Sequence, residues 1–147
     1  MLISNMKLQN FRNYKELNLE LSKGINVFYG DNAQGKTNII EAIFLSSIGR
    51  SFRTNKEKEI IKLGEDFCKI KINYEKSDRT GNICYEISDK KNIAINGVKI
   101  KKLSELLGNI NVVIFTPDDI NIIKGRTKYK KKVFRYYDRT IETCICI

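Results

Sequence analysis

From Leu17 to Leu21 the chain alternates, with apolar Leu17, Leu19 and Leu21 separated by Asn18 and Glu20. That is the period of a strand with one buried face. Ser22-Lys23-Gly24 predicts a turn. Ile25 to Tyr29 is then a short, nearly continuous apolar run, the pattern of a strand covered on both faces, and Gly30 ends it. Past a glycine-rich stretch, Ile39/Ile40, Ile43/Phe44 and Ser47/Ile48 recur every four residues. The spacing predicts a helix from about Thr37 to Ile48 with one face on a sheet, stopped at Gly49.

The second half reads as strands. Ile70, Ile72 and Tyr74 alternate with Lys69, Lys71 and Asn73, and Ile83, Tyr85 and Ile87 alternate with Cys84, Glu86 and Ser88. This predicts a hairpin around Asp78 to Asn82. Ile93 and Ile95 lead into Asn96-Gly97, a strong two-residue hairpin signal, followed by Val98 and Ile100. A short helix near Lys102 to Leu107, a buried strand at Ile110 to Phe115 and a helix opened by Pro117 complete the pattern. The order is strand, loop, helix, antiparallel meander and return strand, with no internal repeat and no low-complexity linker.

The stretch between the apolar run and the helix carries the chemistry. Gly30-Asp31-Asn32-Ala33-Gln34-Gly35-Lys36-Thr37 fits the phosphate-loop pattern G-x-x-x-x-G-K-[ST] at every fixed position, in the strand-to-helix setting the motif requires. Glycines at 30 and 35 let backbone N–H groups curl around phosphate oxygens, and the helix N-terminus adds partial positive charge. Lys36 is placed to reach the β and γ oxygens of a nucleotide, and Thr37 offers the hydroxyl that a phosphate-bound Mg²⁺ takes as a ligand. The competing reading is an ordinary glycine-rich turn on a basic surface.

Length and charge add less. At 147 residues the chain is the size of one ordinary domain and needs no disulfide or metal to staple it. The formal net charge is +10 and histidine is absent, so the charge hardly varies between about pH 5 and 8. Residues 126–147 hold seven Lys/Arg against Asp138 and Glu142, leaving twenty basic against fifteen acidic residues before them. Half the excess therefore sits in the tail. A polyanionic partner and a merely lysine-rich composition both remain open. The four cysteines lack zinc-site or disulfide-framework spacing. Reduced thiols, no signal peptide and no apolar run of about 18 residues predict a cytoplasmic protein without a membrane span.

The flanks of the phosphate loop carry a resemblance. Leu8-Gln9-Asn10-Phe11-Arg12-Asn13-Tyr14, Gly24 to Asn32, Asn38-Ile39-Ile40-Glu41-Ala42-Ile43, Gly49-Arg50-Ser51-Phe52-Arg53-Thr54 and Phe115 to Gly125 together resemble, in order, the N-terminal part of the RecF-type DNA-repair ATPases. The resemblance implies an α/β P-loop NTPase fold of the ABC/SMC-head type. Its expected form is a mixed sheet around the phosphate loop, an antiparallel β-meander beside it, and an incomplete C-terminus. ATP and Mg²⁺ are the implied cofactors. The implied functions are DNA replication, recombinational repair and the SOS response, with ATP-dependent binding of single-stranded or gapped DNA. The implied partners are recombination-mediator proteins and a second head in an ATP-dependent homodimer. Arg12 is then expected near the nucleotide, with a solvated turn arginine as the competing reading. Arg50 and Arg53, flanking Phe52, suit contact with a DNA phosphate backbone, with a plain solvated loop as the alternative.

The resemblance fades after Gly125. Residues 126–147 read as an aberrant basic tail, either frameshifted or naturally divergent, and residues 1–125 as the N-terminal part of a RecF-type ATPase head. The family's signature motif, catalytic acid and switch histidine fall outside this sequence, so no measurable hydrolysis is expected from these 147 residues. The alternatives are the nucleotide-binding domain of a membrane transporter, a small-molecule phosphotransferase, or a non-functional truncated fragment.

Overall fold

The computed structural model describes residues 1–76, 79–115 and 144–146. The chain divides into two compact units, Met1–Ile110 and Asn111–Ile147.

The first unit is a six-stranded sheet carrying one helix. Its strands are β1 (Leu2–Phe11), β2 (Tyr14–Glu20), β3 (Cys68–Lys76), β4 (Arg79–Ile87), β5 (Lys91–Ile95) and β6 (Val98–Lys99). They lie in the order β2-β1-β3-β4-β5-β6, with every pairing antiparallel. The periods read from β3 and β4 hold. Ile70, Ile72 and Tyr74 face Tyr85, Ile83 and Gly81 across the pair, and Ile70, Ile72, Ile83, Tyr85 and Ile87 are buried on one face. Asn96 and Gly97, at φ 51° and 81°, form the tight turn between β5 and β6. The β3–β4 hairpin is tighter than expected. Lys76 already pairs with Arg79 and Glu75 with Thr80, so the pairing runs into the expected turn of Asp78 to Asn82; residues 77 and 78 lie outside the described residues.

Strand β1 is the element that alternation missed. Ile3, Met6, Leu8 and Phe11 are all buried, but the register against β3 shifts between Ile3 and Asn5. That bulge inserts a residue and breaks the two-residue period at its start. β1 pairs on both edges, with β2 and β3, and so is central to the sheet.

Helix α1 (Lys36–Ile48) packs on β3 and β4. Its burial is broader than the expected single face, since Glu41, Ala42, Leu45 and Ser46 are buried along with Ile39, Ile40, Ile43 and Ser47. Each fully buried Leu or Ile contributes about 1.5–3 kcal/mol, so this helix is held by packing. Gly49 closes it in the left-handed region at φ 76°, its N–H on the Leu45 carbonyl at 2.8 Å. The short helix expected near Lys102 to Leu107 is a single 3₁₀ turn at Leu103–Glu105.

Ile25 to Tyr29 do not form the expected doubly covered strand. The segment belongs to neither sheet, and Ile25, Val27 and Tyr29 are 90%, 74% and 92% exposed. Apolar composition does not make a strand without paired neighbours on its edges. Instead the Asn26 carboxamide closes the preceding turn, accepting from the Ser22 N–H and donating to the Ser22 carbonyl, both at 2.9 Å. The mixed sheet expected around the loop is therefore not built from this segment.

The second unit contains a parallel pair, β7 (Val113–Phe115) with β8 (Cys144–Cys146). The helix expected after Pro117 lies outside the described residues, as does most of the basic tail.

Candidate nucleotide-binding site

The eight residues from Gly30 to Thr37 form a bend whose backbone curls through three left-handed positions, Gly30 (φ 140°), Ala33 (φ 65°) and Gly35 (φ 101°). Repeated reversals of this kind turn successive N–H groups toward a common concavity. Lys36 reaches back over the bend. Its ammonium donates to the carbonyls of Gly30 at 2.7 Å and Asp31 at 2.5 Å, which sets the cation across the mouth of the loop. Gly35 is the N-cap of α1 and accepts from the amides of Asn38 and Ile39 at 2.8 and 3.2 Å. The amides of Lys36 and Thr37 lie at the helix start, where they have no carbonyl one turn earlier. Glycine is required at 35 by its backbone angle, and a side chain there would also have to displace the ends of two neighbouring side chains. A Cβ there would stand 2.7 Å from the Tyr14 hydroxyl and 2.8 Å from Asn13 Oδ1.

This donor set fits a nucleotide triphosphate. Backbone N–H groups, a helix N-terminus and one ammonium offer hydrogen bonds and positive charge to phosphate oxygens. Asp31, Asn32, Ala33 and Gln34 are exposed and contribute backbone. Thr37 is half-buried on the first turn of α1, and its hydroxyl is the candidate protein ligand for a nucleotide-bound Mg²⁺.

Behind the loop lies an ion-pair cluster built on Glu41, one turn into α1. Its carboxylate is fully buried and takes four donors. Arg12 donates twice, from Nη2 to Oε1 at 2.6 Å and from Nε to Oε2 at 3.0 Å; the Ser51 hydroxyl donates at 2.5 Å and Arg53 Nη1 at 3.1 Å. Burial by itself would raise the pKa of Glu41. The hydrogen bonds from Arg12 and Ser51 and the charges of Arg12 and Arg53 outweigh it and hold the carboxyl below its ordinary value. Arg12 also donates to the Glu59 carbonyl at 2.6 Å, and Arg53 to Asn38 Oδ1 at 2.7 Å. Asn38 in turn donates to Asn13 Oδ1 at 2.7 Å. The cluster edges an open cleft of about 1390 Å³ whose lining includes Arg12, Asn13, Asn38, Arg53, Glu59 and Lys62.

The expected site residues thus divide. Gly30 to Thr37 come together as one loop. Arg12 stands beside it through its neighbours Asn13 and Tyr14, while its guanidinium is engaged by Glu41 and Glu59. Arg53 is tied to α1 and Arg50 is exposed. Phe52 makes an edge-to-face contact with Phe44 of α1 at 5.4 Å between ring centres, which anchors its loop to the helix. Sequence reasoning missed Glu41, Asn13, Asn38 and Ser51. Glu41 had a signal, a lone carboxylate among Ile39, Ile40, Ala42 and Ile43, which predicts either exposure or a buried partner.

Loop, helix and meander together define a P-loop fold of the ABC/SMC-head type. A family model described as an AAA domain matches residues 5–143, and the chain belongs to that family. Among its relatives, the DNA replication and repair protein RecF of Clostridium tetani (strain Massachusetts / E88) is 52% identical over 134 residues, which cover 90% of this chain and 36% of that protein. RecF of Clostridium novyi (strain NT) is 48% identical, over 90% of this chain and 37% of that protein. A solved structure of the recombination mediator protein RecF-ATP in the RecFOR pathway superposes with a TM-score of 0.79 at 38% identity, covering 92% of this chain and 38% of that one. The SMC head domain from Thermotoga maritima shares the fold at 15% identity, with a TM-score of 0.68 over 92% of this chain and 56% of that one. The resemblance to the N-terminal part of a RecF-type protein is borne out, and the chain spans little more than a third of the length of these curated relatives.

Proposed function

We propose that this chain binds ATP through Gly30 to Thr37 and serves DNA replication and recombinational repair. The observation that carries the reading is the loop itself, curled around the Lys36 ammonium at the start of α1 in a chain 38% identical to a RecF-ATP structure. In this reading the backbone amides of the bend hold the phosphates, Lys36 neutralises the β and γ oxygens, and Thr37 ligates Mg²⁺, which neutralises and orients the triphosphate when bound. The RecF relatives favour this over a transporter motor domain.

Replacing Lys36 with alanine abolishes binding of a fluorescent ATP analogue while the far-ultraviolet circular dichroism stays that of the parent chain. Undiminished affinity in that variant would falsify the reading.

The same proposal extends to single-stranded or gapped DNA, an ATP-dependent homodimer, recombination-mediator partners and a part in the SOS response. Arg50 is exposed and Arg53 is 41% exposed at the side chain, so both have N–H groups able to meet phosphate. Removing a cation that neutralises one phosphate flattens the slope of log affinity against log salt by about 0.7 for a single strand. Arg50→Gln with Arg53→Gln flattens it by one to two such steps, and an unaltered slope removes these arginines from the DNA surface.

A further inference from the structure

We infer that Glu41 is a positioning residue for phosphate binding, the strut that sets the β1–β2 turn against the phosphate loop without touching phosphate itself; the inference rests on the nucleotide reading above. Three segments meet on its carboxylate. Arg12 comes from the β1–β2 turn, Glu41 from the helix that the phosphate loop opens, and Ser51 and Arg53 from the loop after that helix.

What Arg12 holds is the wall of the loop. The next two residues, Asn13 and Tyr14, lie where a side chain on Gly35 would have to go, and Tyr14 also donates a long hydrogen bond to the Gln34 carbonyl at 3.5 Å. Asn13 is further pinned by Asn38 of α1, the residue after Thr37. The turn itself carries backbone strain at Arg12, left-handed at φ 54°, whereas Asn10 at φ 50° is a residue type that tolerates the region. A long side chain such as that of arginine occupies it only when its surroundings compel it. Here the compulsion comes from the two-point Arg12–Glu41 pair, the Arg12 N–H on the Ile60 carbonyl at 2.8 Å, and the Lys62 N–H on the Asn10 carbonyl at 2.8 Å. With the carboxylate neutralised, the bidentate geometry is lost, two guanidiniums face each other without their shared counter-ion, and the turn relaxes away from Gly35.

The experiment measures the dissociation constant of a fluorescent ATP analogue and the ¹H–¹⁵N resonance of Gly35 in the full chain. Glu41→Gln weakens the analogue about tenfold and moves the Gly35 resonance. Arg12→Lys, which keeps the charge but loses the two-point bond, does so by a smaller factor and carries the test if Glu41→Gln does not fold. The double variant is no weaker than the worse single one. Tyr85→Phe is the structural control. It removes a hydrogen bond to the Gly49 carbonyl at the far end of α1, lowers the melting temperature, and leaves both readouts in place. Folded Glu41→Gln or Arg12→Lys with unchanged affinity and an unmoved Gly35 resonance overturns the inference, as does equal loss in Tyr85→Phe. The Lys36→Ala control separates the two claims. If that variant still binds the analogue, the nucleotide reading itself has failed, whereas loss there with no effect at Glu41 sinks only the strut.

Discussion

Ile25 to Tyr29 and Lys69 to Tyr74 are both rich in apolar and β-branched residues, yet one lies in exposed chain outside both sheets and the other in the middle of a sheet. The difference is the distance to a partner. β3 finds β4 across two residues and β4 finds β5 across three, so each strand has a neighbour close in sequence, even though the other edge of β3 pairs with the distant β1. Little loop-closure entropy opposes such pairing. A strand meant to be covered on both faces instead needs neighbours delivered by long crossovers, and its own residues do not specify them.

The largest effect that sharpens this contrast is a matched pair of truncations. Ile72 and Ile83 face each other across β3 and β4, fully buried. Ile72→Ala therefore costs about 2–5 kcal/mol, from lost transfer energy and the cavity left behind. Val27→Ala, at a 74% exposed position, stays within about 0.5 kcal/mol. Urea unfolding of the two variants decides it. Equal losses would mean that Val27 is covered in solution and the contrast is void.

A smaller effect compares two glycines in the left-handed region. Gly97 (φ 81°) has nothing within 4 Å of the place a Cβ would take, while Gly35 (φ 101°) has Asn13 and Tyr14 there. Gly97→Ala meets backbone strain alone, about 1–2 kcal/mol, and leaves ATP affinity unchanged. Gly35→Ala meets the strain and a clash with the loop's wall, so it weakens ATP as well. Titration of a fluorescent ATP analogue reads the difference, and reduced affinity in the Gly97 variant would erase the separation between the β5–β6 turn and the site.

How much of this was legible follows the same division. The β3–β4 and β5–β6 hairpins, helix α1 with its Gly49 stop, and the phosphate loop could be read directly, because alternation, the four-residue repeat and the glycine-lysine spacing are local signals. Strand β1 was hidden by its bulge, which shifts Ile3 and Met6 out of a simple period. The Glu41 cluster was hidden for another reason. Arg12 and Ser51 lie 29 and 10 residues from Glu41, and nothing in a linear pattern says that such distant polar side chains will close on one buried carboxylate. The sequence leaves Arg12 and Arg53 open between facing a ligand and lying solvated in a turn or loop, whereas their shared counter-ion shows that each is part of the scaffold.

The smallest effect appears only in alkali and sets the two thiols of the meander apart. Cys68 opens β3, fully buried, and burial, which disfavours the thiolate, pushes its pKa up from 9.0 to about 11. With the folded value raised above the unfolded one, the folded chain holds its proton longer. The contribution to stability is whole below pH 9 and is lost as pH rises through about 11. Cys84 sits opposite Lys71 on β4 and is only half-buried. Iodoacetamide at about pH 8, near the ordinary thiol pKa, therefore modifies Cys84 well before Cys68, as peptide mass spectrometry distinguishes. Cys68→Ala reduces the alkaline loss of stability between about pH 9 and 11, the remainder belonging to Tyr74 and Tyr85, whose pKa values burial also raises, and leaves the acid limb of the unfolding curve where it was. Equal alkylation rates would show the meander opening at that edge on the timescale of the reaction, and the sheet would then be no better closed there than the exposed lead into the phosphate loop.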